Sequence, residues 1–437
     1  HNQGKNMNTD IFKIITENFI SEYNNLDSSA DADTIRKTVE NFIKKYNNIL
    51  EDEVIEHTAN MWKYLPVPEN QPEPFPEYKT INLTLPECNI IGSRVRGKKH
   101  KHEGTNCDDW FEVSNYGKIA CIAVSDGAGS KKFSRIGAKI SCMSAVSSMK
   151  KSLEKLFTEE KDILKKISLP VSNPDFLESC KLFAKIVQDS VLNAIDSVET
   201  AFKSRSEMKE YSDFLGRELK LNDFSSTLLV SLIIPCENDS DEVLFISCQI
   251  GDGISAIINK DNSIKLMGEA DSGDYSGETD FLTSVNMKNP DNLQLRTKIS
   301  KSPAKLFLMM TDGVADDYFP NETEMLRLCS DLVLNGIIPD FFEKSDSDDF
   351  SGKIPEPIGY PNVNDKTENI FLRYSNRICS ALNISLNQLC KSKSIFAEPN
   401  NNSDETPEEL LRIWLDNYVE RGSFDDRTLV VVNFSGE

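Results

Sequence analysis

The chain has 437 residues, 39% of them hydrophobic and 27% charged, which describes an ordinary soluble globular protein with room for one large domain plus additions. Its formal net charge is −21 and no long basic stretch offsets it. Such a surface repels phosphate backbones and anionic lipids, which argues against nucleic acid or membrane as the main partner, and it leaves any phosphorylated substrate to be attracted by local cations.

The chain opens His-Asn-Gln-Gly-Lys-Asn ahead of Met7, which reads as an addition before a native start. Residues 8–64 read as helices, with Phe12, Ile15, Phe19 and Tyr23, then Ile35, Val39, Phe42, Tyr46 and Leu50, at helical spacing. They are predicted to form an N-terminal helical extension over residues 1–64. Prolines at 66, 68, 72, 74 and 76 mark an extended linker over 65–80, because proline cannot continue a helix.

From residue 81 onward the pattern turns to short strands around 81–95 and 117–125. A long helix follows, with Ile136, Ile140, Met143, Val146 and Leu153 predicted on one face. A second spans about 174–203, its stripe being Phe176, Cys180, Phe183, Val187, Val191, Ile195 and Val198. Strands are then predicted at Ser226–Ile234, Val243–Ile250, 305–310 and 428–434. Strands, paired helices and more strands, without strict alternation, suit an α+β protein with mainly antiparallel sheets covered by helices. The stretch 335–408, acidic and proline-bearing, reads as an insertion within a main domain of residues 81–437.

Ten cysteines run from Cys88 to Cys390 with no CxxC pair, most of them reading as small buried hydrophobes, such as Cys142 and Cys248. With histidines only at 1, 57, 100 and 102, a His/Cys zinc site is poorly supplied. No run is apolar enough to span a bilayer and no signal-peptide pattern opens the chain, so a reducing, cytoplasmic setting is expected.

The chemistry lies in four aspartate motifs, three of them where an apolar run stops: Asp126 in SDG, Asp252 in GDG and Asp312 in TDG, with Asp425 in FDDRT and Asp108-Asp109 each before a strand. One Asp-Gly is an ordinary turn dipeptide. Several at the mouths of buried strands, brought together, make a pocket for hard divalent cations.

In the order GTNCDDW, AVSDGAG, SSTLLVSL, IGDG, MMTDGVAD and FDDRTLVVV, the chain resembles the metal-dependent protein phosphatases of type 2C, in their bacterial-type branch. The segment SGDYSGETDFLTS (272–284), holding Glu278 and Asp280, resembles that branch too, and the likeness covers roughly 90–320 and 408–435. It implies an α-β-β-α sandwich of two mainly antiparallel sheets flanked by helices, with two or three Mg2+ or Mn2+ ions at one end. Asp126 would bridge two ions with help from the Gly127 carbonyl, and Asp312 and Asp425 would hold the first. Asp108 and Asp109 would serve the second ion mainly through water, and Asp252 a third. Asp126 and Asp312 would then carry catalysis, with a cation-bridging water attacking phosphorus in a phosphoserine or phosphothreonine. A phosphoprotein substrate, and a Ser/Thr kinase or its targets as the opposing partner, are implied likewise.

Two positions depart from the family pattern: Gly104 stands where relatives carry a phosphate-gripping arginine, and Ala128 where some carry a histidine. Arg94, Arg96, His100 and His102 lie just upstream and read as a solvated basic loop. Ser226 and Thr227 match a small-polar strand start explained by packing and turn formation, and Trp62, Trp110 and Trp414 read as packing residues. The alternatives to a serine/threonine protein phosphatase are a low-activity or inactive regulatory module on the same scaffold and a small-molecule phosphoesterase.

Overall fold

The computed structural model describes residues 62–237, 241–268, 279–339, 405–417 and 424–434. The expected N-terminal helices, nearly all of the 335–408 insertion, and Glu278 lie outside the described residues.

Residues Lys63–Glu437 make up one of two compact units, and its fold is α+β: two antiparallel sheets face each other, with helices on both outer faces. One sheet runs β1 (Tyr78–Leu85), β2 (Cys88–Val95), β10 (Arg427–Asn433), β9 (Thr297–Met310), β7 (Ile254–Asn259) and β8 (Ile264–Leu266). The other runs β3 (Trp110–Tyr116), β4 (Ile119–Ser125), β5 (Leu228–Pro235), β6 (Glu242–Ile250) and again β9. Strand β9 belongs to both sheets: residues 297–303 pair with β6, and residues from Ala304 on pair with β7 and β10.

Strand β4 shows why the layers form. All seven residues of IACIAVS are buried, because both faces of its sheet are covered. With a period of two, Ala120, Ile122 and Val124 enter the core between the sheets, with Phe245, Phe307, Met309 and Val430. Ile119, Cys121 and Ala123 point the other way, toward the helices. Phe245 and Phe307 stack across the inter-sheet core with ring centroids 5.4 Å apart, a geometry that adds about 0.5–1.5 kcal/mol beyond area burial.

Helices α1 (Lys98–Glu103), α2 (Ser134–Glu159) and α3 (Pro174–Ser206) come early in the chain. The whole stripe read on α3 is buried, Phe176 to Ile195 in the core of the second sheet and Val198 in a separate cluster with Phe133, Ile136 and Phe224. Its start is fixed by Pro174 at the first helical position and by Asn173, whose side chain accepts from the Asp175 N–H. On α2, Ile136, Val146 and Leu153 are buried as expected, but Met143 is 48% exposed and faces outward. The first sheet is covered by α5 (Asn321–Leu334) and α6 (Pro407–Asn417), between which Trp414 is fully buried. Between β9 and α5, the single turn α4 (Asp312–Ala315) begins at the TDG aspartate.

Residues 71–77 are fastened to the domain. Arg135 donates to the carbonyls of Pro72 (2.5 Å) and Glu73 (3.1 Å), Arg205 donates to the Glu73 carboxylate, and Phe75 packs edge-on against Trp110. The eight described cysteines are buried, and no described helix is long and apolar enough to cross a membrane.

Candidate metal centre

Strand register places the aspartates at one end of the sandwich. Trp110 pairs with Ser125, so Asp108-Asp109 before β3 sit beside Asp126 after β4. Leu429 and Ile254 both pair with Met310, which sets Asp425-Asp426 before β10 and Asp252 before β7 next to Asp312 after β9. Carboxylate oxygens of Asp126, Asp252 and Asp312 lie within 4.8 Å of one another, and ligand atoms of His100, Asp425 and Asp426 do the same.

Backbone hydrogen bonds hold the SDG loop. The Asp126 N–H donates to Thr227 Oγ1 (2.8 Å), the Thr227 N–H to the Asp126 carbonyl (2.8 Å), and the Ala128 N–H to the Ser225 carbonyl (3.0 Å). Thr227 therefore shapes the loop, in keeping with the turn formation read from sequence. Gly127 has ordinary backbone angles; its glycine is needed for space, since a Cβ there would stand 2.7 Å from the Asp108 carbonyl oxygen.

The acidic pair divides. Asp108 turns its carboxylate toward His100, 3.7 Å from Nε2. Asp109 is fully buried, and its Oδ2 accepts from Thr311 Oγ1 (2.8 Å) and Thr428 Oγ1 (2.5 Å). Its Oδ1 is buried and receives no N–H or hydroxyl donor among the described residues, and the Asp109 and Asp126 side chains meet at hydrogen-bonding range, a costly crowding of carboxyls unless a cation or a proton lies between them.

Asp425 is exposed at the rim, whereas Asp426 is buried and works as a hub. Asp426 accepts from the N–H groups of Gly97 (2.6 Å) and Asp108 (2.5 Å) and pairs with His100 Nδ1 at 2.9 Å. Sequence reasoning singled out Asp425 and missed this neighbour. The available signal was the second aspartate of FDDRT together with a histidine eight residues before the acidic pair.

The electrostatics are those of crowded anions. Burial raises Asp126 well above the usual carboxylate range, and Asp312, Asp109 and Asp425 push it further; Asp312 is raised likewise by burial, then by Asp252 and Asp425. Burial takes Asp108 up to about 8 against the opposing charge of His100, and takes Asp109 up to about 7 with help from Asp426. Burial would lower His100, but Asp426 outweighs it and raises the imidazole to about 10. Asp426 is held low, its burial outweighed by His100 and two backbone N–H groups.

These shifts give the pH dependence its sign. Carboxylates raised in the folded state bind more protons there than in the unfolded chain, so without cations stability falls as pH rises from about 4 to about 8. The His100 contribution is complete below about 6.5 and is lost as pH approaches 10, in the same direction. An all-oxygen cluster of buried carboxyls that repel one another fits Mg2+ or Mn2+ well.

Several expectations for the surrounding residues need correction. Arg94, Arg96 and His100 are buried rather than part of a solvated loop. Arg94 stacks on Trp110 and donates to the Pro76 carbonyl; Arg96 pairs with Glu77 and donates to the Leu65 and His100 carbonyls. His102 accepts from the Lys63 N–H. Asp280 is ion-paired with Arg296 at 2.7 Å, and its neighbour Thr279 donates to Asp252 Oδ2 at 2.6 Å. Gly104 is the left-handed cap of α1, at φ 68°, and Ala128 is buried. Trp110 and Trp414 are buried, as packing residues should be.

The profile of the protein phosphatase 2C family matches residues 96–336. Among solved structures, the chain is similar to a bacterial serine phosphatase at 11% identity and a TM-score of 0.34, over 83% of this chain and 98% of that one. It is similar to the serine/threonine phosphatase Stp1 from Staphylococcus aureus at 10% identity and a TM-score of 0.34, covering 85% and 98%. A third is serine-threonine phosphatase 2C from Toxoplasma gondii, at 11% identity and a TM-score of 0.40, covering 83% and 100%. No curated protein matches the chain.

Proposed function

The chain belongs to the protein phosphatase 2C family of metal-dependent phosphoprotein phosphatases, and on that premise we propose that its aspartates build a two-cation centre that hydrolyses phosphoserine and phosphothreonine. In this reading Asp126 would serve both cations and the Gly127 carbonyl one of them, Asp312 and Asp425 would complete the first position, and Asp108 and Asp109 would orient water around the second. Asp252 offers a further position beside Asp312. Mg2+ or Mn2+, when bound, supplies an acidified water for attack on phosphorus and offsets charge on the phosphoryl oxygens. The observation that carries the proposal is the convergence of Asp126, Asp252 and Asp312 oxygens within 4.8 Å.

The rest of the chain keeps this constellation in place. Thr227 fixes the Asp126 backbone, and the His100–Asp426 pair ties the 97–108 loop to the start of β10. Preorganisation of that kind lets the charges be in place before substrate arrives.

The test is phosphate release from a phosphothreonine peptide and from a small phosphometabolite, with Mn2+, Mg2+ or EDTA. Release from the peptide with a divalent cation and none in EDTA is the expected outcome. Preference for the metabolite would select a small-molecule phosphoesterase. Mn2+ binding without any release would select a regulatory module, and release in EDTA would remove the metal mechanism altogether.

A further inference from the structure

We infer that Thr311 and Thr428 form a hydroxyl clamp whose purpose is to aim Asp109 at the bound divalent cation. The inference rests on the two-cation reading above and concerns two threonines that lie inside the TDG and FDDRT motifs but were given no role there.

Each hydroxyl has a single proton to give. Thr311 Oγ1 accepts the Thr428 N–H at 3.2 Å, so its own proton is free to go to Asp109 Oδ2, 2.8 Å away. Thr428 Oγ1 donates to the same oxygen at 2.5 Å. Two donors on Oδ2 fix the plane of the carboxylate. That leaves Oδ1, buried and reached by no N–H or hydroxyl donor among the described residues, on a carboxyl that meets Asp126 at hydrogen-bonding range. Both threonines are themselves buried, 1% and 0% exposed, so water does not substitute for them.

The origins of the clamp explain its use. Thr311 immediately precedes Asp312 at the end of β9, and Thr428 lies three residues after Asp425 in β10. The Thr311 N–H also donates to the Thr428 carbonyl at 3.2 Å. Asp109 enters from the opposite sheet, just before β3. The clamp therefore sets a carboxylate of one sheet in register with the two strands of the other that carry Asp312 and Asp425. Thr311 and Thr428 are positioning residues, acting on the cation through Asp109.

The test uses Thr311→Val and Thr428→Val, which remove a hydroxyl while nearly keeping shape, and Thr311→Ser and Thr428→Ser, which keep it. Mn2+ affinity is read by calorimetry on the full chain, without substrate, beside the melting temperature in EDTA. Loss of an outer partner of this kind weakens metal binding about 10–100-fold, so the valine variants should bind Mn2+ that much more weakly while the serine variants stay near wild type.

Valine variants that fold and bind Mn2+ as the wild type does would overturn the clamp. So would serine variants that lose Mn2+ affinity, because the methyl groups and not the hydroxyls would then matter; this arm decides the question even if a valine variant fails to fold. A wild type that binds Mn2+ yet hydrolyses nothing would sink the proposed function and leave the clamp standing. A wild type that bound no Mn2+ would sink both.

Discussion

Asp126→Asn and Asp312→Asn are each expected to cut metal-dependent phosphate release by about a thousand-fold or more, since each withdraws a charge that holds the cations and the charge-stabilising power they bring. The same substitutions should act on stability with the opposite sign. Both carboxyls are raised by burial and by neighbouring aspartates, so in EDTA their ionised forms disfavour the fold. A neutral amide of the same shape relieves that repulsion, and the cation-free variants should melt higher than the cation-free wild type. An active site that stores repulsion for a ligand to relieve shows this trade between stability and activity. A variant that loses activity and also melts lower in EDTA would mean the aspartate holds the fold together rather than a cation.

Gly313→Ala is expected to be severe for a steric reason. A Cβ on Gly313 would stand 1.9 Å from the Asp426 carbonyl oxygen. That backbone has little room to retreat, because the Asp426 side chain is bonded to Gly97, Asp108 and His100. Overpacking of this kind costs roughly 1–3 kcal/mol or more, and here the shift would separate Asp312 from Asp425. Gly129→Ala is the matched control, with nothing within 4 Å of the added carbon. Urea melts and phosphate release together check the prediction. A Gly313→Ala enzyme as stable and as active as Gly129→Ala would show that the TDG and DDRT loops do not approach so closely.

Much of this site was legible because strand ends are legible. Runs such as Ile119–Ser125 and Val243–Ile250 are buried on both faces and read as continuous apolar segments, and Asp126, Asp252 and Asp312 follow where such runs stop. Residues 297–303 were not legible, nor were β7 and β8. The first carry Lys298, Ser300, Lys301, Ser302 and Pro303 at the end of a sheet, where polar residues and proline are tolerated. The burial of Arg94 and Arg96 was hidden as well, since their partners Pro76, Glu77, Leu65 and Trp110 lie outside the local sequence window.

The two aspartates of FDDRT show a subtler limit. Successive residues of an extended segment point opposite ways, so one faces the cleft and the other enters the protein. Composition does not reveal that the buried one would meet a histidine more than three hundred positions earlier. Thr311 and Thr428 were likewise unremarkable as letters, and only the pairing of β9 with β10 makes them neighbours of one carboxylate.

The most direct test of the central claim, that these converging carboxylates are a divalent-cation site, is the melting temperature at pH 5 and pH 8 in EDTA, and at pH 8 with Mn2+. In EDTA the protein should melt lower at pH 8, where Asp108 and Asp109, raised to about 8 and about 7, increasingly carry charge. A hundred-fold excess of Mn2+ over its dissociation constant adds about 2.7 kcal/mol to the folded state, so Mn2+ at pH 8 should raise the melting temperature by several degrees. Because a net charge of −21 alone would also favour low pH, Asp126→Asn serves as the control and should lose the Mn2+ response. No Mn2+ shift at pH 8, or an equal shift in Asp126→Asn, would contradict the account.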